Sequence, residues 1–452
     1  MKSTFALSPT LSPRRGRNLF QALAVLFCVF SLTAAQAEST LLYNGVIHTV
    51  SGETFTNGAV LINSNKIETV LDGKTSKRLS VRQMIDLKGQ HVYPGLIAVN
   101  TVLGLTEIDA VRSTQDSTEV GDVTPEVESW VAVNPDSEIL PVARANGIAY
   151  FEPVPKGNPV PGQSALLAMT GWTYEQMAVK KPVALHVFWP NVDLNTTPKE
   201  KSREPAKWKS LEDQAKERRA KLLSLADFFE EARAYAKAKN AGTNSARWKK
   251  IPAWEAMLPY VRGELPVVIH ADEVRQIRSA VQWANTNSWK ICIAGGRDAW
   301  MVADLLATNK IPIIFEDTFS QPTRDTESYD VHFSAPEVLR KAGVRVLFSV
   351  GPDSFGAPMA RNLPYAGSQA IAFGLPEDEA LKGITLYPAE LMGVADRLGS
   401  LEAGKEATLF VCDGNIFDLR ANVKRMWIAG REINLDNRHT RLYGKYKNRP
   451  KP

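Results

Sequence analysis

His91-Val-Tyr-Pro-Gly-Leu-Ile-Ala-Val-Asn-Thr-Val102 is the stretch that decides the fold, because it joins two regions with different patterns. Before it, short alternating segments are separated by Asn44-Gly45, Asn57-Gly58 and Asp72-Gly73, dipeptides that favour tight turns. This pattern predicts a small antiparallel β unit. After it, apolar strand-like segments alternate with helical patterns, which is typical of a parallel α/β architecture. The stretch therefore marks the start of a larger domain.

Eight apolar segments with strand character form the core of this larger region. They span residues 92–99, 148–153, 164–169, 182–189, 266–270, 290–294, 311–315 and 344–349. Eight strands alternating with helices predict a TIM-type (β/α)8 barrel. The second and third segments have no obvious helix between them, so the pattern alone leaves the strand count open. Charge-rich residues 199–262 predict a helical insertion. We interpret its charged helix at 205–239 as solvated surface, with a lid or partner-binding role as the alternative.

Segments with β character return near the C-terminus. Residues 397–436 contain apolar runs and a turn at Asp413-Gly414. Neither this segment nor residues 38–92 is expected to bury a convincing core alone. We therefore predict that the two flanks pair into one small composite β-sandwich domain. The barrel then covers residues 93–396, and residues 437–452 form a tail.

The N-terminus has the order of a secretory signal peptide. Basic residues are followed by an apolar run at 22–32 and then by small residues that end at Ala37. Cleavage after Ala37 would remove four of the 54 basic residues, which leaves 50 against 49 acidic residues. This near-neutral balance, without Lys/Arg clusters among aromatics, argues against a nucleic-acid partner. We therefore expect a periplasmic or secreted protein with no membrane span after cleavage, and the oligomeric state stays open.

Two parts of the chain resemble the amidohydrolase superfamily, in particular its imidazolonepropionase-like members. One is the turn Pro94-Gly-Leu-Ile97, and the other is the passage from Arg361-Asn-Leu-Pro-Tyr365 to Arg397-Leu-Gly-Ser-Leu-Glu-Ala-Gly-Lys-Glu-Ala407. The resemblance implies a barrel with a composite β domain. It also implies hydrolysis of non-peptide C–N bonds in a small polar amide or cyclic amide, with zinc held at the barrel mouth. Function, however, depends on the residues of the site rather than on the fold.

Most of the metal-ligand positions implied by this resemblance are substituted. Where the first strand of the family has Asp, His and His, this chain has Ala98, Asn100 and Val102. Where the sixth strand has a histidine, it has Gly295 or Gly296.

Three residues remain as implied metal ligands. His270 is similar to the fifth-strand histidine, Asp353 to the catalytic aspartate, and His186 lies on the fourth strand. Zinc catalysis ordinarily needs about three protein ligands and a water, so we expect zinc binding here to be weak or absent. Arg112 and Trp189 are candidate substrate-binding residues, with a solvated loop and a packed core aromatic as the alternatives.

Three functions stay open at this point. The first is an exported hydrolase of non-peptide C–N bonds with a degenerate metal site. The second is a non-catalytic amidohydrolase relative that serves as a small-ligand binding or assembly module. The third is metal-independent hydrolysis with Asp353 or His270 as general base, although no nucleophile can be identified from a Gly-x-Ser-x-Gly elbow.

Overall fold

The computed structural model describes residues 39–73, 81–157, 159–241, 249–353 and 355–450. The predicted signal peptide at residues 1–37 lies outside these ranges. The strands of the described residues are β1 (Ser39–His48), β2 (Thr54–Asn63), β3 (Lys66–Asp72), β4 (Gln83–Asp86), β5 (His91–Pro94), β6 (Leu96–Thr101), β7 (Ile148–Pro153), β8 (Gly162–Ala168), β9 (Ala178–Phe188), β10 (Val267–Ala271), β11 (Ile291–Gly295), β12 (Ile313–Phe315), β13 (Val346–Phe348), β14 (Leu409–Cys412), β15 (Val423–Ile428) and β16 (Arg431–Glu432). They form two separate sheets.

The helices lie mostly between and after the barrel strands. They are α1 (Ile139–Arg144), α2 (Tyr174–Met177), α3 (Leu211–Asn240), α4 (Pro252–Val261), α5 (Val274–Asn287), α6 (Ala303–Thr308), α7 (Val331–Lys341), α8 (Gly356–Met359), α9 (Leu363–Ala372), α10 (Glu377–Gly383), α11 (Leu386–Leu391) and α12 (Arg438–Lys447). Within the described ranges, no helix combines the length and the apolar character needed to cross a membrane.

One sheet is a nearly closed barrel in the order β6-β7-β8-β9-β10-β11-β12-β13. The Ser349 hydroxyl, just after β13, lies 2.9 Å from the carbonyl oxygen of Val99 in β6 and links the two ends of the sheet. The predicted TIM-type barrel is confirmed, with one difference in direction. Strand β8 runs antiparallel to β7 and to β9. An antiparallel neighbour needs only a short connection, which explains why the sequence shows no helix between these two strands.

The other sheet unites the two flanks of the chain. Its order is β16-β15-β14-β5-β1-β2-β3, and β4 lies beside β1. The flanks meet where β14 pairs antiparallel with β5, from Leu409 opposite Pro94 to Cys412 opposite His91. The composite β domain predicted from the sequence is therefore present as a sheet of its own. A small apolar core that includes Ile47, Val60 and Trp427 packs on it.

The turn between β5 and β6 explains the glycine of the opening stretch. A Cβ atom on Gly95 would lie 2.7 Å from Cγ2 of Thr408 and would also collide with Ala149. Only glycine allows the backbone to pass this closely between the composite sheet and β7. Gly95 is therefore fixed by packing at the junction of the two domains.

Between β9 and β10 the chain forms the helices α3 and α4. Ser210 caps α3 by accepting a hydrogen bond from the backbone N–H of Asp213. The second half of α3 buries Leu225 and Phe229, and the Phe229 ring meets Trp283 of α5 at 4.8 Å between centroids. This helix is thus anchored on the barrel by its second half, and most residues of its first half are exposed or partly exposed.

Candidate active site

The strand register places polar side chains together inside the barrel mouth. His270 of β10 is level with Ala294 of β11, which is level with Ile314 of β12. Side chains two residues apart in a strand point to the same face, so Glu316, just after β12, projects to the same side as His270. His186 of β9 joins them, because it is level with Val268, two residues before His270. The C-terminal strand ends are where barrel enzymes carry their chemistry.

A chain of hydrogen bonds links four of these side chains. The Ser164 hydroxyl donates to Oε1 of Glu152 at 2.7 Å. Its oxygen lies 2.9 Å from Nε2 of His186, and Nδ1 of His186 lies 3.0 Å from Nε2 of His270. His186 and Glu152 are almost fully buried, whereas His270 keeps partial exposure at the mouth. We call this set, from Glu152 through Ser164 and His186 to His270, the histidine relay.

The hydrogen bonds of the relay determine which atoms of Ser164, His186 and His270 carry the protons. Glu152 also accepts the backbone N–H of Asn100 at 2.9 Å, so it acts as an acceptor and takes the single hydroxyl proton of Ser164. Ser164 must then accept from Nε2–H of His186, which leaves Nδ1 of His186 to accept from Nε2–H of His270. Burial first, and the proximity of His186 second, hold the pKa of His270 well below its ordinary value. The His270 ring is therefore neutral, and its Nδ1 carries a lone pair that no described residue engages.

Asn100 takes a bridging role at the position where the family resemblance implies a metal ligand. Its backbone has φ of 52°, a left-handed conformation that asparagine tolerates better than most residues. Its Nδ2 donates to Oε1 of Glu316 at 2.5 Å. Its Oδ1 is buried and has no hydrogen-bond partner among the described residues. Val102 is fully buried in the apolar core.

Glu316 lies among other carboxyl groups. Burial raises its pKa well above the ordinary value, and the nearby Asp272, Asp317 and Asp353 raise it further, in that order. The pKa of Asp272 is also raised, mainly by burial and then by Asp317, while Arg297 opposes this effect. Glu316 therefore favours its protonated, uncharged form more strongly than an ordinary carboxyl group does.

Two glycines leave room for the side chains of Asp272 and Glu316, because a Cβ atom at either position would overlap them. Gly295 has φ of 87°, and a Cβ atom there would overlap Oδ1 of Asp272. Gly351 has φ of 84°, and its Cβ atom would lie 2.8 Å from Oε2 of Glu316. The sixth-strand position that could have held a histidine therefore faces a carboxylate. The backbone N–H of Arg297 donates to that carboxylate, so the turn after β11 binds the side chain of Asp272.

The remaining candidates from the sequence lie at the rim or in the core. The Asp353 side chain is 86% exposed and pairs with Nζ of Lys156 at 3.3 Å. Arg112 is exposed and does not line the adjacent cleft of about 450 Å³, whose acidic walls include Asp116 and Glu128. Trp189 is buried and packs on Trp283, with 5.3 Å between ring centroids.

The donors at the mouth do not fit a zinc centre as they are arranged. Within the described ranges, no three His, Cys, Asp or Glu side chains are grouped so that they could hold a metal ion. Both nitrogens of His186 and Nε2 of His270 are occupied by hydrogen bonds of the relay. Asn100 presents an N–H group to Glu316 rather than an oxygen to a cation. Of the implied ligands, His186 and His270 meet each other, and Asp353 lies on the exposed rim.

Sequence reasoning missed Glu152, Ser164 and Glu316. A signal for the two glutamates was available, because each follows a phenylalanine at the end of an apolar strand, as Phe151-Glu152 and Phe315-Glu316. A carboxyl group at the end of a buried barrel strand is a candidate for site chemistry. Ser164 had no such signal, since a serine at the start of an apolar run is common in structural strands.

Comparison with known proteins agrees with this fold. The amidohydrolase family model matches residues 294–433. An amidohydrolase from Thermotoga maritima MSB8 superposes with a TM-score of 0.74 at 25% identity, over 87% of this chain and 99% of that one. A barrel with an appended sheet is the architecture that these matches support. The chain belongs to the amidohydrolase superfamily.

The matches to curated relatives are partial. The imidazolonepropionase of Mesorhizobium japonicum is 27% identical over 149 residues, which are 33% of this chain and 35% of that protein. An amidohydrolase of Hapsidospora irregularis is 25% identical over 183 residues, 39% of this chain and 18% of that protein. The chain thus spans about a third or less of the length of these relatives, and their activities do not carry over to it directly.

Proposed function

We propose that this chain is an exported hydrolase of non-peptide C–N bonds in small amides or cyclic amides, and that it works by acid–base chemistry without a metal. One observation carries the proposal. The histidine relay leaves a neutral His270 with a free Nδ1 at the barrel mouth. A positioned imidazole of this kind is the group most often used as a general base.

The reaction follows from the relay and from Glu316. Nδ1 of His270 takes a proton from a water molecule as the water oxygen adds to the amide carbonyl carbon. The resulting imidazolium ion is stabilised through His186 and Ser164, because the chain ends on the Glu152 carboxylate. The protonated Glu316 then gives its proton to the leaving nitrogen as the C–N bond breaks. The products are a carboxylic acid and an amine, and proton transfer from His270 restores Glu316 directly or through solvent.

The rim gives the substrate a flat surface to bind. The Phe188 ring stacks on His270 with 4.0 Å between centroids and an interplanar angle of 4°. This contact packs on the face of the imidazole ring and holds its plane. Because both rings are partly exposed, a planar amide or small ring would pack beside them while its carbonyl faces Nδ1.

Hydrolysis is tested with the chain from residue 38 onward after dialysis against a chelator. A panel of cyclic amides, N-acyl amino acids and dipeptides is assayed, and metal content is measured alongside. We expect turnover that chelators do not abolish, with zinc below one per chain. His270→Gln should lower kcat/KM by about 10²- to 10⁴-fold, whereas His439→Gln, an exposed histidine of α12, should leave it unchanged.

Two results would contradict this mechanism. One zinc ion per chain, together with turnover that chelators abolish, would show that the reaction depends on a metal. Binding of amides without any turnover would favour the non-catalytic binding module instead. Export is tested separately, by N-terminal sequencing of the protein recovered from the periplasm or medium, where we expect the chain to begin at Glu38.

A further inference from the structure

Asn100 carries an unused acceptor beside a group of acids. Its side chain is fully buried, and its Oδ1 has no partner among the described residues. The Nδ2 atom of the same carboxamide lies 2.5 Å from Glu316, so the amide plane faces this carboxyl group. A buried acceptor without a donor is costly. Such an atom at the edge of a site therefore points to a ligand that brings an N–H group.

The charges around Asn100 indicate the sign of that ligand. Four carboxyl groups lie here, on Glu316, Asp272, Asp317 and Asp353. Two basic groups face them. Lys156 is paired with Asp353. Arg297 lowers the pKa of Asp272 and lies 3.9 Å from Glu273. Neither Glu316 nor Asp317 has a basic partner within the described ranges. With Asp353 paired at the rim and Asp272 facing Arg297, Asp317 leaves the mouth with acid in excess over base.

We propose that the mouth binds a small organic cation with at least two N–H donors, such as an amidinium or ammonium group. One N–H donates to Oδ1 of Asn100, and the positive charge lies against Asp317, while Glu316 keeps its proton. A small rotation of the partly exposed Glu316 side chain opens Oδ1 to the mouth. The inference rests on the proposed hydrolase function, for which it names the substrate class as small amides that carry a basic nitrogen.

The charge of the ligand is tested with three probes of one shape. Benzamidine is cationic, benzamide neutral and benzoate anionic, and their binding to the chain from residue 38 onward is measured by calorimetry at neutral pH. We expect benzamidine to bind roughly tenfold or more tightly than benzamide, which is typical of a hydrogen bond that involves a charged group. Benzoate should show no binding.

Variants locate the binding site. Asn100→Gly keeps the backbone conformation, because glycine adopts the positive φ without strain, and it removes the acceptor. Asp317→Asn removes the charge with little change of shape. Each should weaken benzamidine binding about tenfold, while Glu68→Gln, an exposed acid of β3 in the composite sheet, should not change it. Two variants at separate positions keep the test valid if one of them fails to fold.

The results that overturn this inference differ from those that overturn hydrolysis. Equal binding of benzamidine and benzamide, or benzamidine binding unaffected by both variants, would refute the cation site. Displacement of benzamidine by calcium chloride would also refute it, since the oxygens would then hold a metal ion. None of the probes needs to be hydrolysed, so an absence of turnover with every amide would refute only the proposed reaction.

Discussion

Glu316 is the residue whose environment most favours its uncharged form. Its pKa is raised well above the ordinary value by burial and by three neighbouring acids. A carboxyl group with a raised folded pKa binds protons more strongly in the folded than in the unfolded state. Its contribution to stability is therefore lost as the pH rises from the ordinary carboxyl range through the folded pKa. The raised pKa thus has two effects near neutral pH. It lowers the free energy of unfolding, and it favours a proton bound to Glu316 at the site.

Glu316→Gln should remove that loss. The glutamine keeps an oxygen for Nδ2 of Asn100 but carries no charge, so we expect the free energy of unfolding at pH 8 to rise by roughly 1 to 2 kcal/mol. At pH 4 the wild-type side chain is protonated as well, and the difference should disappear. Urea unfolding at both pH values measures this. A variant less stable than the wild type at pH 8 would show that Glu316 is ionised and well solvated there.

Ser164 acts through its neighbours and is a positioning residue in the proposed mechanism. In Ser164→Ala, Nε2 of His186 loses its acceptor and Glu152 loses a donor, in a part of the barrel without exposure. We expect a loss of stability of about 1 to 3 kcal/mol, and a fall in kcat with little change in KM. Ser129→Ala is the matched control, because Ser129 is also buried and donates one bond, to the carbonyl of Pro153. Equal effects of the two variants on kcat would mean that the relay has no catalytic role.

At the scale of single elements, the turn after β11 shows why the site departs from the pattern implied by the family resemblance. Gly295→Ala should destabilise the protein by about 1 to 3 kcal/mol, because the positive φ strains alanine and the new methyl group meets Asp272. Combining it with Asp272→Ala relieves the overlap but not the backbone strain. A double-mutant cycle in urea should therefore show that the two changes are less than additive. Strict additivity would mean that Asp272 does not fill this space.

The strands were predictable to different degrees for physical reasons. Apolar runs such as 266–270 and 311–315 indicated buried strands because both faces of a barrel strand are covered. The direction of β8 was not predictable, since it depends on pairing with β7 and β9 rather than on its own residues. For the same reason the substitution at Asn100 was visible in the sequence, but its bond to Glu316, 216 residues away, was not. The buried Cys292 is level with Val268, which is level with His186, and it carried no signal for the site.

At the scale of the whole molecule, the barrel and the composite sheet are joined by side chains as well as by backbone. Phe410 of β14 is fully buried and stacks on Tyr93 of β5 with 5.4 Å between centroids. Its ring also fills the space beside Gly147, where a Cβ atom would lie 2.9 Å from the Phe410 ring. The Tyr150 hydroxyl of β7 lies 2.7 Å from that of Thr408, just before β14. Unfolding of one domain would therefore expose the core of the other.

Phe410→Ala should test this coupling. Removing a buried phenylalanine costs about 3 to 5 kcal/mol, because apolar surface is lost and a cavity remains. Unfolding in urea is followed by near-ultraviolet and far-ultraviolet circular dichroism. If the two domains unfold together, the variant should lower the midpoint urea concentration of both signals by the same amount, and the two transitions should coincide. Leu442→Ala, a partly exposed residue of α12, serves as the control and should leave both midpoints unchanged. Two separated transitions in the variant would show that the composite sheet melts alone, and that the barrel mouth does not depend on it for stability.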